Sequence, residues 1–244
     1  MSAEQAVRRG RVLAAQGAAI VDIGAESTLA QASRADASSQ LQRVLPVLER
    51  LRQNNILVSV ETYDPKVAHA VLEREANVIN LTGADPGGEI CRMAADHNAA
   101  VILCYIQGQH VRAVDEFTFA QDLVGAMSDY FAAALEQATA AGLTRIFLDP
   151  GLGFYYRNLQ DSAKRVRFQM RVFLESFRLR TLGFPICQAL PHAFEYFGEE
   201  VRSAEGFFAV LAALGKTDLF RTHEVPRVRA VLETLGVYGN AAAS

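Results

Sequence analysis

The chain has 244 residues, half of them hydrophobic and 21% charged, with a net charge of −3. That length suits one α/β domain with a sizeable core, and the composition excludes a disordered chain. The charge balance gives no pull toward nucleic acid or a membrane surface, and no apolar run approaches the roughly 18 residues of a membrane span.

The N-terminal MSAEQAVRRGRVLAAQ puts Glu4, Arg8, Arg9 and Arg11 where a secretory signal would need an apolar core, so the expected location is cytoplasmic. This segment reads as a helix, Glu4–Gln16. Seven short apolar runs follow: Ala18–Ile23, Ile56–Val60, Asn77–Leu81, Ala100–Cys104, Arg145–Leu148, Phe184–Gln188 and Thr217–Phe220. Runs of this length, apolar on both faces, read as buried parallel strands.

Helical spacing fills the intervals. Val44, Leu45, Leu48 and Leu51 share a face, with Pro46 marking a first turn or a kink. Asp64-Pro65 supplies an N-cap and first-turn proline for the helix of Val67, Ala68, Val71 and Leu72. Phe117–Ala141 and Asp161–Arg180 read as the longest helices. Val225, Val228, Val231, Leu232 and Leu235 form the last one, with Gly236 as its C-cap. Cys91, Cys104 and Cys187 follow no metal-ligand spacing and read as buried free thiols.

Strand–helix alternation along the whole chain implies a parallel sheet covered by helices. A doubly wound sheet would carry a glycine-rich phosphate turn after its first strand, and Gly24-Ala25-Glu26-Ser27 is not one. The pattern instead fits a (β/α)₈ barrel whose first strand is missing or replaced. Residues 1–239 then form one barrel domain and 240–244 a frayed tail.

In such a barrel the chemistry sits at the C-terminal strand ends. Asp22, Glu61, Asn80 and Asp149 fall there, and carboxylates beside an amide suit a heterocycle with N–H donors and a carbonyl. Arg221 and His223, two apart after the last run, suit an anion. Each residue alone also has a structural reading. Asp22 could bond a neighbouring loop, Asn80 could cap one, Asp149-Pro150-Gly151 could be a turn, and Arg221 and His223 could pair with Glu224. Glu26 reads as an organiser of loop amides.

VDIGAEST (21–28), VSVETYDPKVA (58–68), VINL (78–81), LDPGLGF (148–154) and RTHEV (221–225) together resemble the dihydropteroate synthase family of pterin-binding barrels. The resemblance implies that Glu61, Asn80 and Asp149 bind the pterin, Glu61 standing where the family has aspartate. It implies that Arg221 and His223 bind the diphosphate and that Thr28 lies in the loop of the second substrate. The implied reaction joins a dihydropterin diphosphate to 4-aminobenzoate or a related aromatic amine, with Mg²⁺ on the departing pyrophosphate, in a homodimer. The chain departs from the family at the first strand and its Asp-Ser-Phe-Ser-type loop, which includes the usual Mg²⁺ ligand. It also departs at Leu29, at Tyr155-Tyr156-Arg157, at Cys104-Tyr105-Ile106, and at Pro191-His192-Ala193, where the family has Ser-Arg-Lys. Those departures keep two other expectations open: a paralogue that has lost the reaction and serves as a partner subunit or scaffold, and a pterin-dependent methyltransferase.

Overall fold

The computed structural model describes residues 1–25, 35–111, 113, 116–154, 156–191 and 193–241. Helix α1 (Ala3–Ala15) opens with a capping box, in which the Ser2 hydroxyl accepts from the Gln5 amide while the Gln5 side chain accepts from the Ser2 amide. The remaining elements alternate: β1 (Val21–Gly24), α2 (Ala37–Arg52), β2 (Val58–Thr62), α3 (Pro65–Leu72), β3 (Val78–Leu81), α4 (Glu89–Asp96), β4 (Ala100–Cys104), α5 (Leu123–Ala140) and β5 (Ile146–Asp149). Then come α6 (Ser162–Glu175), β6 (Cys187–Ala189), α7 (Phe194–Phe197), α8 (Ala204–Leu214), β7 (Leu219–Arg221) and α9 (Val225–Ala241). Aspartates start the major helices. Asp36, Asp64, Asp122 and Asp161 each accept a first-turn amide of α2, α3, α5 and α6, a contact that contributes about 1 kcal/mol per helix.

Strands β1 to β5 pair in parallel in chain order, β6 pairs in parallel with β7, and a parallel bridge from Leu148 to Ile186 joins the two groups. The strands separate two cores by alternation. Val60, Ile79, Leu81, Val101, Leu103, Ile146 and Leu148 pack outward with helix residues such as Leu48, Val71, Met127, Phe131, Val172 and Phe208. Val78, Ala100, Ile102, Cys104 and Cys187 form a second cluster, joined by Ile20, Phe147 and Leu219. This inner cluster fills a curled sheet, as the layered interior of a barrel requires.

Seven strands of the expected barrel are thus present, and among the described residues β1 pairs with β2 alone and β7 with β6 alone. Helix α1 spans this seam. Its Gly10 lies against Leu51 of α2 and Val21 of β1, close enough that a Cβ would meet the Leu51 side chain at 2.8 Å. On the other side, Arg9 donates to the His223 carbonyl at 3.1 Å, and Arg229 of α9 donates to the Gln16 carbonyl at the end of α1 at 3.2 Å.

Several element bounds differ from the sequence reading. Pro46 lies inside α2, which begins at Ala37, so it does not mark a first turn. Helix α5 starts only at Leu123, because Phe117 turns instead into an aromatic cluster with Tyr105, Tyr156 and Phe168. Helix α6 ends at Glu175. The buried Ser176 hydroxyl is held by the Phe173 and Gly215 carbonyls, and a 3₁₀ segment runs on to Leu182. Gly236 keeps a right-handed helical backbone rather than capping α9, which continues through Ala241. Residues 240 and 241, expected in the tail, are therefore helical, and 242–244 lie outside the described residues. Among the described residues no helix is long and apolar enough to cross a membrane.

All three cysteines are buried and unpaired. Burial pushes the Cys91 thiol up to about 12 and raises those of Cys104 and Cys187 well above the usual value. Native protein should leave all three unreacted with an aromatic disulfide reagent at pH 8, and denaturant should release all three. Rapid labelling of the native protein would place a thiol at the surface.

Candidate active site

The inward positions at the C-terminal ends of the strands are polar, and they belong to the strands themselves. Glu61 and Thr62 end β2, Asp149 is the last residue of β5, and Arg221 is the last of β7, each inside an element that the sequence reading ended one or two residues earlier. A run of apolar residues marks where a strand is buried, whereas the backbone ladder continues under the polar ends. The pairing of Cys104 with Asp149 and of Glu61 with Asn80 is part of the parallel register.

Arg221 draws these ends together. Its Nη1 donates to Asp149 Oδ2 at 3.0 Å, and its Nη2 lies 3.3 Å from Asp22 Oδ2 and 3.7 Å from Glu61 Oε2. One guanidinium on β7 therefore faces carboxylates from β1, β2 and β5 across the mouth of the curled sheet. Burial works against the Arg221 charge, yet Asp22 and Asp149, followed by Cys187 and Glu61, hold it protonated well above its ordinary value. Burial also pushes the Asp149 carboxyl above the usual carboxylate range, against the opposing pull of Arg221 and the Gly151 amide.

Asp149 serves as a turn residue and a site residue at once. Its Oδ1 accepts from the Gly151 amide at 2.8 Å while its Oδ2 takes Arg221. Gly151 has φ +74°, and a Cβ there would lie 2.2 Å from the Tyr105 carbonyl, so only glycine closes this turn. Asn80 is fully buried. Its Nδ2 donates to Asp22 Oδ2 at 3.1 Å, and Cys104 Sγ donates to its Oδ1 at 3.6 Å, which fixes the amide orientation within this network.

Arg221 and His223 are held by different carboxylates. The His223 ring is 61% exposed, and its Nδ1 lies 3.1 Å from Oε1 of Glu205, which has no exposure. The carboxylate beside His223 is Glu205, a residue the sequence reading missed, where the alternative structural reading named Glu224. Its signal was present, since Glu205, Phe208, Ala209 and Ala212 follow one helical face and all four are buried. Cys104, as the donor to Asn80, was also missed as a site residue. Behind it, Gln107 Nε2 donates to the Tyr105 hydroxyl at 2.8 Å, and the Gln107 amide donates to the Tyr156 hydroxyl at 3.0 Å. Thr28, Glu26, Leu29, Tyr155 and His192 lie outside the described residues.

The model of the family described as "Pterin binding enzyme" matches residues 1–186. The dihydropteroate synthase of Mycobacterium leprae is 30% identical over 245 residues, covering 97% of this chain and 84% of that protein. The chain belongs to the pterin-binding enzyme family. It is a dihydropteroate synthase-like protein on the (β/α)₈ barrel plan. The structure of the Xanthomonas albilineans dihydropteroate synthase with 4-aminobenzoic acid matches it with a TM-score of 0.81 at 28% identity, covering 99% of this chain and 86% of that one. The same enzyme in complex with 7,8-dihydropteroate gives a TM-score of 0.79 at 27% identity, covering 97% and 88%.

The pterin-binding barrel here keeps its acidic strand ends in place with a single cation. Replacing Arg221 with Met should cost roughly 2–4 kcal/mol at pH 7.5, somewhat less than for a fully buried pair, because Asp22 and Glu61 retain 30% and 20% exposure. Removing the cation leaves burial to push the Asp149 carboxyl further up in the folded state, so the stability deficit grows as pH rises above the ordinary carboxylate value and shrinks as pH falls toward 4. Urea unfolding of parent and variant across this range measures it. An equal deficit at both ends would remove charge compensation as the role of Arg221.

Proposed function

We propose that this chain binds a dihydropterin diphosphate at the strand ends and joins it to 4-aminobenzoate or a related aromatic amine. The observation that carries the reading is the set of three carboxylates and one buried amide grouped around Arg221. A pterin ring presents an exocyclic amine, ring N–H groups and a carbonyl. Asp149, Glu61 and Asn80 supply matching acceptors and an amide. As those N–H groups take over the carboxylates, the guanidinium of Arg221 is released to turn over the ring toward the diphosphate, where its planar fork holds two oxygens. His223 binds the same anion from the β7–α9 turn. The complexes of the Xanthomonas albilineans relative with 4-aminobenzoic acid and with 7,8-dihydropteroate support both halves of this substrate assignment.

In the reaction the amine nitrogen forms a bond to the methylene carbon on the pterin ring. The carbon–oxygen bond to the diphosphate breaks, pyrophosphate departs with the electron pair, and the amine proton passes to water. Arg221 and His223 stabilise the charge that gathers on the leaving group. Among the described residues no group of three or more His, Cys, Asp or Glu could hold a metal ion by itself, so Mg²⁺ would arrive with the substrate diphosphate, which supplies most of its ligands. Three buried, unpaired thiols support a reducing, cytoplasmic setting.

A second reading, a paralogue that binds pterin without turning it over, is favoured by one observation. Ala193, buried and at φ +47°, occupies the turn after β6 where the family's lysine would stand, and it offers no cation to the reacting centre. Two measurements decide between them. Calorimetric titration with a dihydropterin should give measurable binding, weakened by about 1–3 kcal/mol in Asp149→Asn, as for a hydrogen bond to a charged group. Absence of binding to the folded parent would sink both readings. Pyrophosphate release dependent on 4-aminobenzoate should occur, but slowly against the usual range of about 1–10³ s⁻¹. Pterin binding with no release supports the paralogue.

The expected homodimer is also a proposal. Leu174, Phe177, Phe207 and Leu214 are exposed on α6, the 3₁₀ segment after it, and α8, which packs on α6. Exposed apolar side chains on neighbouring elements suit a second copy. Light scattering should give twice the chain mass of 26.6 kDa, and Phe207→Glu should return the monomer. A monomeric parent at high concentration would refute it.

A further inference from the structure

The turn between β7 and α9 is built around a buried charge. Glu205 Oε2 accepts from the Thr222 hydroxyl, from the His223 amide at 2.9 Å and from the Glu224 amide at 3.3 Å. Its Oε1 accepts from Arg202 Nη1 at 3.4 Å and lies 3.1 Å from His223 Nδ1. With donors converging on both oxygens, Glu205 acts as an acceptor toward the imidazole. The nitrogen facing it must then carry a hydrogen, and that choice decides what the other nitrogen does.

We propose that Glu205 is a positioning residue that holds the His223 proton on Nδ1, so that the anion-binding edge, Nε2, donates a hydrogen bond only after the imidazole takes up a second proton. A neutral His223 presents a lone pair at Nε2, which repels an anion. The imidazolium presents an N–H there, with its charge balanced by Glu205 behind it. Anion binding at His223 is thereby coupled to the uptake of a proton. This inference rests on the reading of His223 as an anion ligand.

The charged groups beside this turn come from its neighbouring elements: Glu205 of α8 on the ring, Arg202 of the 3₁₀ segment Gly198–Ser203 on Glu205, Glu224 next in the chain, and Arg9 of α1 on the His223 carbonyl, while the Arg221 guanidinium is directed to Asp149, Asp22 and Glu61. Arg202 also pairs with Glu205 and approaches Glu224 to 3.9 Å, so the acidic pair behind the ring is partly neutralised by a fixed cation. The group left to change charge as an anion arrives is the imidazole.

Glu205→Gln makes the idea sharp. The amides of His223 and Glu224 still converge on one atom, which must be the glutamine oxygen. Its NH₂ then faces His223 Nδ1 and donates to it, and the neutral ring is forced into the Nε2–H tautomer. Imidazole ¹⁵N chemical shifts, assigned with His223→Gln, read this directly. The parent should show Nδ1–H at pH 8 and the variant Nε2–H. Sulfate, which has no titrating proton of its own at these pH values, is the anion probe. Its affinity for the parent should fall by up to about tenfold per pH unit above the imidazole titration. Calorimetry in PIPES and in Tris should report proton uptake approaching one per sulfate for the parent, and uptake near zero with a flat pH profile for the variant.

An Nε2–H tautomer in the parent, or equal proton uptake in the two proteins, overturns the proposal. Absence of sulfate and pyrophosphate binding to the parent overturns the anion reading, and the coupling with it. The tautomer measurement then still decides whether Glu205 sets the proton, which separates the two failures. If Glu205→Gln does not fold, the tautomer and proton uptake of the parent alone remain decisive, and Thr222→Val, which leaves Glu205 facing the ring, should match the parent in both.

Discussion

A single guanidinium facing three carboxylates sets the terms for the rest of this molecule. Arg221 sits at the end of β7, and its acidic partners come from β1, β2 and β5. Without it, three negative groups would converge on the mouth of a curled sheet, and burial would have no compensation. With it, the open sides of the sheet are tied by charge as well as by α1, whose Gly10 packs on the β1 side while Arg9 and the Gln16 carbonyl bond to the β7 side. The same contact that stabilises the barrel mouth also stores binding capacity. Under the proposed function, a ligand whose N–H groups take over the carboxylates replaces their contacts with Arg221 and frees the cation for an anion.

The arrangement depends on supporting contacts that are themselves ordinary. Asp149 is oriented by the Gly151 amide, and Asn80 is oriented between Asp22 and the Cys104 thiol. Both polar groups are therefore held in place before any ligand arrives, which lowers the entropy cost of binding. Arginine suits the central position better than lysine because its rigid fork reaches two carboxylates at once. The turn after β7 follows the same logic with the signs reversed, since there a buried glutamate collects two amides, a hydroxyl, an arginine and an imidazole.

The end of β6 contrasts with this. Ala193 offers no charge at the position that the family resemblance gives to a lysine, and its backbone is left-handed at φ +47°. The polar contacts grouped around Arg221 have no counterpart in a charge at Ala193. Family membership and the barrel fold are compatible with either a slow synthase or a binding paralogue, and the difference lies in this corner rather than in the core.

Alternation of apolar runs and helical faces determined the architecture from the sequence alone, because burial on both strand faces leaves a readable composition. The residue types at the strand ends were legible for the same reason: Asp22 and Asn80 lie inside apolar runs and Glu61, Asp149 and Arg221 directly follow them, so that together they mark a shared polar surface although most of them alone also had a structural reading. The Asp64-Pro65 cap was legible because capping is local. Tertiary structure decided what locality cannot reach. Gly236 has room for either a cap or a helix, and α9 continues through it. Ser176 breaks α6 because a carbonyl 39 residues away, at Gly215, accepts its hydroxyl. Arg221 and His223 share a sequence motif but not a partner, because α8 brings Glu205 beneath one of them while the curl of the sheet brings three carboxylates around the other. A spacing of two residues says that two side chains leave the backbone in the same direction. Which charge each one meets depends on elements folded in from elsewhere in the chain, and only the assembled barrel contains that information.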